Sequence, residues 1–101
     1  MKILLSCAAG MSTSIIVKKM QNAAAAQGKN YEIIALDIEK AEKEFEKYDV
    51  VLVGPQIRYM LTKFKAKGEK VGIPVELINQ MHYAMCNGEE VLKQAERLVV
   101  T

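Results

Sequence analysis

The 101-residue chain lacks most of what enzymes commonly rely on. It has no tryptophan, two phenylalanines, two prolines and one histidine, His82; its only cysteines are Cys7 and Cys86, and its only aspartates Asp37 and Asp49. That scarcity restricts the chemistry available: no cluster calls for a metal, and no cofactor is expected. Long apolar runs are also missing. The longest span four residues, far short of the ~20 of a membrane helix, and Met1 to Leu5 is too short for a secretory h-region, so the expected location is cytoplasmic. Neither sign of charge dominates. Fourteen basic and 12 acidic residues give a net charge of +2 and are scattered along the chain, leaving no basic stripe for nucleic acid and no acidic tail. What is present is 50% hydrophobic and 26% charged, which fits one soluble domain over residues 1–101 without a second catalytic domain. A chain of this length buries roughly 60–70% of its unfolded surface, enough for one core without disulfides or a structural metal.

Short apolar runs alternate with helical patterns. Lys2 to Ser6 reads as a buried strand ending at Cys7, followed by the small-residue loop Ala8 to Thr13. A helix follows, with Ser12, Thr13 or Ser14 as its cap, Ile16, Met20, Ala23 and Ala24 at helical spacing, and Gly28 as its stop. The run Ala23 to Ala26 has no bulk and suits close packing on a sheet. Tyr31 to Leu36 is a second strand, and Ile38, Ala41, Phe45 and Tyr48 mark an amphipathic helix. Asp49 to Val53 is a third strand, closed by Gly54-Pro55. Ile57, Met60, Leu61 and Phe64 give a helical face ending near Gly68. Ile73 to Ile78 is a fourth strand whose proline suits a sheet edge. A loop from Asn79 to Asn87 leads to a last helix beginning near Gly88, with Val91, Leu92, Ala95, Leu98 and Val99 apolar. This order predicts an α/β fold: a four-stranded parallel open sheet, order 2-1-3-4, with helices on both faces.

Ligands of such sheets bind beyond the carboxyl ends of the strands, where the strand order reverses. Cys7 falls at one such end. The small residues after it allow backbone N–H groups to converge, Gly10 permits close approach of a ligand, and the following helix start adds partial positive charge; together they suit an anion such as a phosphoryl group. The same field stabilises a thiolate and makes a cysteine placed there nucleophilic. A lone cysteine on a strand is more often core filling; its position at the strand end before a glycine-containing loop favours function. Cys86 has no such surroundings and is taken as incidental. His82 has no neighbouring carboxylate and reads as a surface residue, and Met81 and Met85 read as packing or partner surface.

The stretch Cys7-Ala-Ala-Gly-Met-Ser-Thr-Ser14, continued by Ile-Ile-Val-Lys-Lys-Met20, resembles the active-site loop and first helix of the enzyme IIB proteins in the lactose/cellobiose (chitobiose) branch of the bacterial sugar phosphotransferase system. Asp49-Val-Val-Leu-Val-Gly-Pro-Gln-Ile-Arg-Tyr59 is similar to the third strand and following loop of that family, and the likeness extends over essentially the whole chain. The resemblance implies a phosphoryl carrier: Cys7 takes a phosphoryl group from a phosphohistidine on enzyme IIA and passes it to a sugar, a β-linked disaccharide such as cellobiose, chitobiose or lactose, bound by the membrane component enzyme IIC. Ala8, Ala9, Gly10, Met11, Ser12 and Thr13 would form the phosphate cradle. Gln56, Tyr59 and Tyr83 would line the site, although Ala84 to Asn87 departs from the family's small, acidic continuation. Met11, Tyr59 and Tyr83 are candidate apolar contacts for IIA.

A rival reading is a hydrolase like the low-molecular-weight tyrosine phosphatases, whose loop has the form Cys-x5-Arg. Here Thr13 stands where that arginine would be, and no aspartate is available in the late loop as an acid, so efficient hydrolysis would lack two parts. A thiol redox role needs a resolving cysteine, for which only Cys86 is available. A binding module in which the thiol never reacts is the remaining alternative.

Overall fold

The structure, a computed structural model, describes residues 1–7 and 11–99. Four strands, β1 (Lys2–Cys7), β2 (Glu32–Asp37), β3 (Val50–Val53) and β4 (Val75–Leu77), form one parallel sheet in the order β2-β1-β3-β4. This is the expected order. The central strands β1 and β3 read as unbroken apolar runs because both of their faces are covered.

The described residues form five α-helices, α1 (Met11–Ala26), α2 (Ile38–Glu44), α3 (Leu61–Val71), α4 (Gln80–Ala84) and α5 (Gly88–Val99), of which α1, α2, α3 and α5 pack on the sheet. On one face Ile16, Val17 and Met20 of α1 and Val91, Leu92 and Ala95 of α5 pack with Ile3, Leu5, Val50 and Leu52. On the other, Ala41 of α2, Phe45 just after α2, and Phe64 of α3 pack with Leu4, Val51 and Val53. The connection from β1 to β2 runs one way along the sheet and uses the first face. Those from β2 to β3 and from β3 to β4 run the other way and use the second. Opposite directions on opposite faces are what a single crossover hand requires.

Several boundaries differ from the sequence reading. Helix α1 begins at Met11, so Ser12, Thr13 and Ser14 lie in its first turn rather than at its cap. It does stop at Gly28, whose φ of 71° permits the closing bonds Gly28 N–H to Ala25 O and Lys29 N–H to Ala24 O. Of the run Ala23 to Ala26, Ala24 is buried whereas Ala25 and Ala26 are exposed. The apolar stripe Ile38 to Tyr48 is not one α-helix: α2 ends at Glu44 and a 3-10 turn, Phe45–Lys47, tightens the chain into β3. Helix α3 runs past Gly68 to a left-handed cap at Gly72. Gly68 is buried inside the helix, where a Cβ would lie 2.4 Å from Ile73 O. The stretch 79–87 is not only a loop but contains α4, capped by Asn79.

Candidate functional site

Cys7 is the last residue of β1 and is 2% exposed. It stands between β2, where Asp37 is its register partner, and the exit of β3. The chain leaves β1 toward one edge of the sheet and β3 toward the other, so this is the point where an open α/β sheet leaves a crevice. Gly54 closes β3 against it. Its N–H donates to Ser6 O at 2.9 Å, and a Cβ there would meet Gln56 Oε1 at 3.0 Å, Ser6 O at 3.2 Å and Cys7 Cβ at 3.7 Å. The turn after β3 therefore approaches the end of β1 as closely as a glycine allows. Helix α1 starts four residues beyond Cys7; N–H groups of a helix's first turn have no partner within the helix and, with the helix dipole, attract an anion.

The expected cradle is described only in part. Ala8, Ala9 and Gly10 lie outside the described residues, as do the side chains of Met11, Ser12 and Thr13. Two of the three expected lining residues are brought together: Gln56 Nε2 donates to the Tyr83 hydroxyl at 2.5 Å, joining the turn after β3 to α4. Tyr83 is placed by the α4 cap, where Asn79 Oδ1 accepts from Met81 N–H at 3.0 Å and His82 N–H at 3.1 Å. Tyr59 is not part of this contact and is 72% exposed.

The other chemically capable residues lie apart. Asp37 is beside Cys7 in register, but its Oδ1 caps α2 by accepting from Lys40 N–H at 2.8 Å. Asp49 accepts from Lys2 N–H at 2.7 Å, at the amino end of the sheet. Cys86 lines a groove with Lys19 and Ala23 of α1. Lys19 is eight residues into that helix, a rise of about 12 Å, whereas a disulfide needs Cα atoms within roughly 7 Å; neither cysteine is in a disulfide. His82 Nδ1 is buried without a hydrogen-bond partner. Among the described residues no group of three or more His, Cys, Asp or Glu could hold a metal ion.

Displaced pKa values occur elsewhere, around the start of β2. Lys29 and the Tyr31 hydroxyl both bond Glu96 Oε2. Burial alone would raise the Glu96 carboxyl, but these two hydrogen bonds together with the positive charges of Lys29 and Lys93 outweigh it and hold it below its ordinary value. The bond to Glu96 raises Lys29, and burial followed by the same bond raises Tyr31.

Ile15, Tyr59, Met81 and Met85 are large apolar side chains more than half exposed. All four lie on segments that follow the carboxyl ends of strands. The two methionines are thus surface and not packing, and Ile15 joins them unforeseen. Gln94 was also passed over in the sequence. It is buried among Val91, Leu92, Ala95 and Leu98, and a polar residue in phase with an apolar helix face was the available signal.

A parallel sheet wound on both faces, with a cysteine where its strand order reverses, defines a doubly wound α/β domain with its candidate site at the switch point. Over residues 2–94 the chain matches the family described as PTS system, Lactose/Cellobiose specific IIB subunit, and it belongs to that family. It is 45% identical over 102 residues to the PTS system galactose-specific EIIB component of Lactococcus lactis subsp. cremoris (strain MG1363), the alignment covering 96% of this chain and 94% of that protein. Identity and coverage are the same for the cellobiose-specific EIIB component of Lactococcus lactis subsp. lactis (strain IL1403). The solution structure of the cellobiose-specific phosphotransferase IIB component from Borrelia burgdorferi superposes with a TM-score of 0.82 at 36% identity, covering 98% of this chain and 91% of that one. The protein is accordingly a sugar phosphotransfer component of the phosphotransferase system. Among the described residues no helix is long and apolar enough to cross a membrane.

Proposed function

We propose that the chain, as a single domain over residues 1–101, is a cytoplasmic phosphoryl carrier in which Cys7 is the phosphorylated residue. The observation that carries this reading is the placement of Cys7 as the last residue of a central strand, at the switch point and four residues before the start of α1. The thiolate sulfur attacks the phosphorus of a phosphohistidine on enzyme IIA in line. An S–P bond forms, the N–P bond breaks, and the imidazole leaves. Backbone N–H groups between Ala8 and Thr13, including Ala9, Gly10 and Met11, hold the transferred oxygens, with the Ser12 and Thr13 hydroxyls assisting. In the second transfer a hydroxyl of a sugar held by membrane enzyme IIC attacks the phosphorus. The S–P bond breaks, the thiolate is regenerated, and the hydroxyl proton passes to a base on the sugar-binding partner.

Gln56, Tyr59 and Tyr83 line the entry to this site. The exposed Ile15, Tyr59 and Met81 form the apolar surface on which enzyme IIA and then IIC dock around Cys7. The family description supports a β-linked disaccharide such as cellobiose as acceptor. The two equally similar relatives carry the names of different sugars, as expected if sugar choice lies with the membrane partner. Thr13 in place of an arginine and the absence of an acid in 79–87 favour holding the phosphoryl group over hydrolysing it.

The test is the reconstituted relay: phosphorylated IIA, this protein, and membranes containing IIC with cellobiose. Sugar phosphorylation should require the wild-type chain and vanish with Cys7→Ala. Phosphorylated protein incubated alone should keep its phosphoryl group; loss within seconds would point to a phosphatase.

A further inference from the structure

The geometry points to Gln94 as a positioning residue for the site, acting through α4. The residue is 5% exposed, and its side-chain amide makes three hydrogen bonds. Nε2 donates to Glu76 Oε1 at 2.5 Å and to Leu77 O at 2.8 Å, and Oε1 accepts from Asn79 N–H at 3.1 Å. Leu77 O and Asn79 N–H flank Ile78, whose own N–H donates inward to Val53 O at 2.9 Å. In a parallel sheet a neighbouring residue brackets its partner in this way, donating to the carbonyl before it and accepting from the N–H after it. Strand β4 is the edge of the sheet, so the Gln94 amide serves as one residue of an absent fifth strand. It fixes the chain at the point where β4 ends.

From that point the path to the site is short. The N–H of Asn79 is held by Gln94, and its side chain caps α4. Its carbonyl accepts from Tyr83 N–H at 2.9 Å. The Tyr83 hydroxyl accepts from Gln56, whose Oε1 lies beside Gly54 and the end of β1. Helix α4 has only five residues, none of them fully buried, and Tyr83 is only partly buried against the core, so the cap has a large share in setting its direction. An apolar residue at 94 would fill the space and leave Leu77 O and Asn79 N–H without that partner, and Tyr83 would lose its fixed place over Gln56. Small displacements of positioning groups are costly in transfer reactions.

This inference rests on Tyr83 lining the site of the proposed carrier. The experiment is a double-mutant cycle of single-turnover phosphoryl transfer from phosphorylated IIA, using wild type, Gln94→Met, Tyr83→Phe and the double variant, each folded by circular dichroism at the assay temperature. Gln94→Met should slow transfer about tenfold, with the double variant no slower than the slower single, because both remove the same placement. An unchanged rate in Gln94→Met, or effects that multiply in the double variant as a merely structural role would give, overturns the inference. If Gln94→Met does not stay folded, Asn79→Ala, one link nearer the site, replaces it in the same cycle with the same two outcomes. If Tyr83→Phe transfers at the wild-type rate while Cys7→Ser accepts nothing, this inference fails and the carrier reading stands. If Cys7→Ser still accepts the phosphoryl group, the carrier reading falls and the inference with it.

Discussion

Replacing Gly68 by alanine should destabilise the protein even though it puts a better helix former inside a helix. Taken alone, Gly to Ala in a helix interior contributes about 1 kcal/mol of stability. Opposing it, the new Cβ would sit 2.4 Å from Ile73 O and 2.7 Å from Val75 Cγ2, the first of them backbone that no rotamer change can relieve. Relief requires α3 and the entry to β4 to part by a large fraction of an ångström. Two hydrogen bonds resist that movement: Ile73 N–H to Gly68 O at 2.8 Å and Val51 N–H to Pro74 O at 3.0 Å. Overpacking of this kind costs about 1–3 kcal/mol, and weakening one of those bonds adds about 1 kcal/mol. The net expectation is a loss of about 1–3 kcal/mol, read as a lower urea midpoint at unchanged slope. Gly72→Ala provides the contrast. Nothing lies within 4 Å of its Cβ, and its φ of 75° is the obstacle, for a loss of about 1 kcal/mol. A Gly68→Ala protein as stable as wild type, or more so, would refute the close approach of α3 to β4.

Other expectations follow from individual contacts. Because the Glu96 carboxyl is held below its ordinary value of 4.5, its contribution to stability is present above pH 4.5 and is lost as pH falls through the folded-state value. Glu96→Gln should cost about 1 kcal/mol at neutral pH and flatten the acid limb of a stability-against-pH curve; a limb parallel to that of wild type would contradict the assignment. On the alkaline side the raised Lys29 contributes below pH 10.5, and that contribution fades as pH rises through its folded-state value. Cys86→Ser should retain the wild-type rate of phosphoryl transfer, since Cys86 lies along α1 and away from Cys7; a large loss would revive a redox role.

The sheet was legible because its central strands are buried on both faces and therefore read as unbroken apolar runs, and because Gly54-Pro55 ends one of them unambiguously. Cys7 stood out by its place at a strand end. Glycines were harder. Gly28, Gly68 and Gly72 all fall toward the ends of helical patterns, and only the folded chain, through the approach of Ile73 and Val75 to Gly68 and the positive φ of the other two, separates a packing contact from two left-handed stops. Helix α4 has five residues and none fully buried, too short for a periodicity to announce it, and Asn79, which caps it, is held from α5. The hydroxyls after Gly10 looked like caps by residue type, but α1 begins at Met11 and takes them into its first turn. The contact of Gln56 with Tyr83 spans 27 positions and exists only because β3 and β4 are neighbours. Local pattern does not carry that information.

The central claim is that Cys7 is the phosphorylated residue, and the direct test is to find the phosphoryl group. The protein would be charged by phosphorylated IIA, digested under conditions that preserve thiophosphate esters, and mapped by mass spectrometry. One phosphoryl group on the peptide containing Cys7, and none anywhere in Cys7→Ser, is the predicted result. A phosphoryl group on His82 or on another residue, or charging that persists in Cys7→Ser, would contradict it.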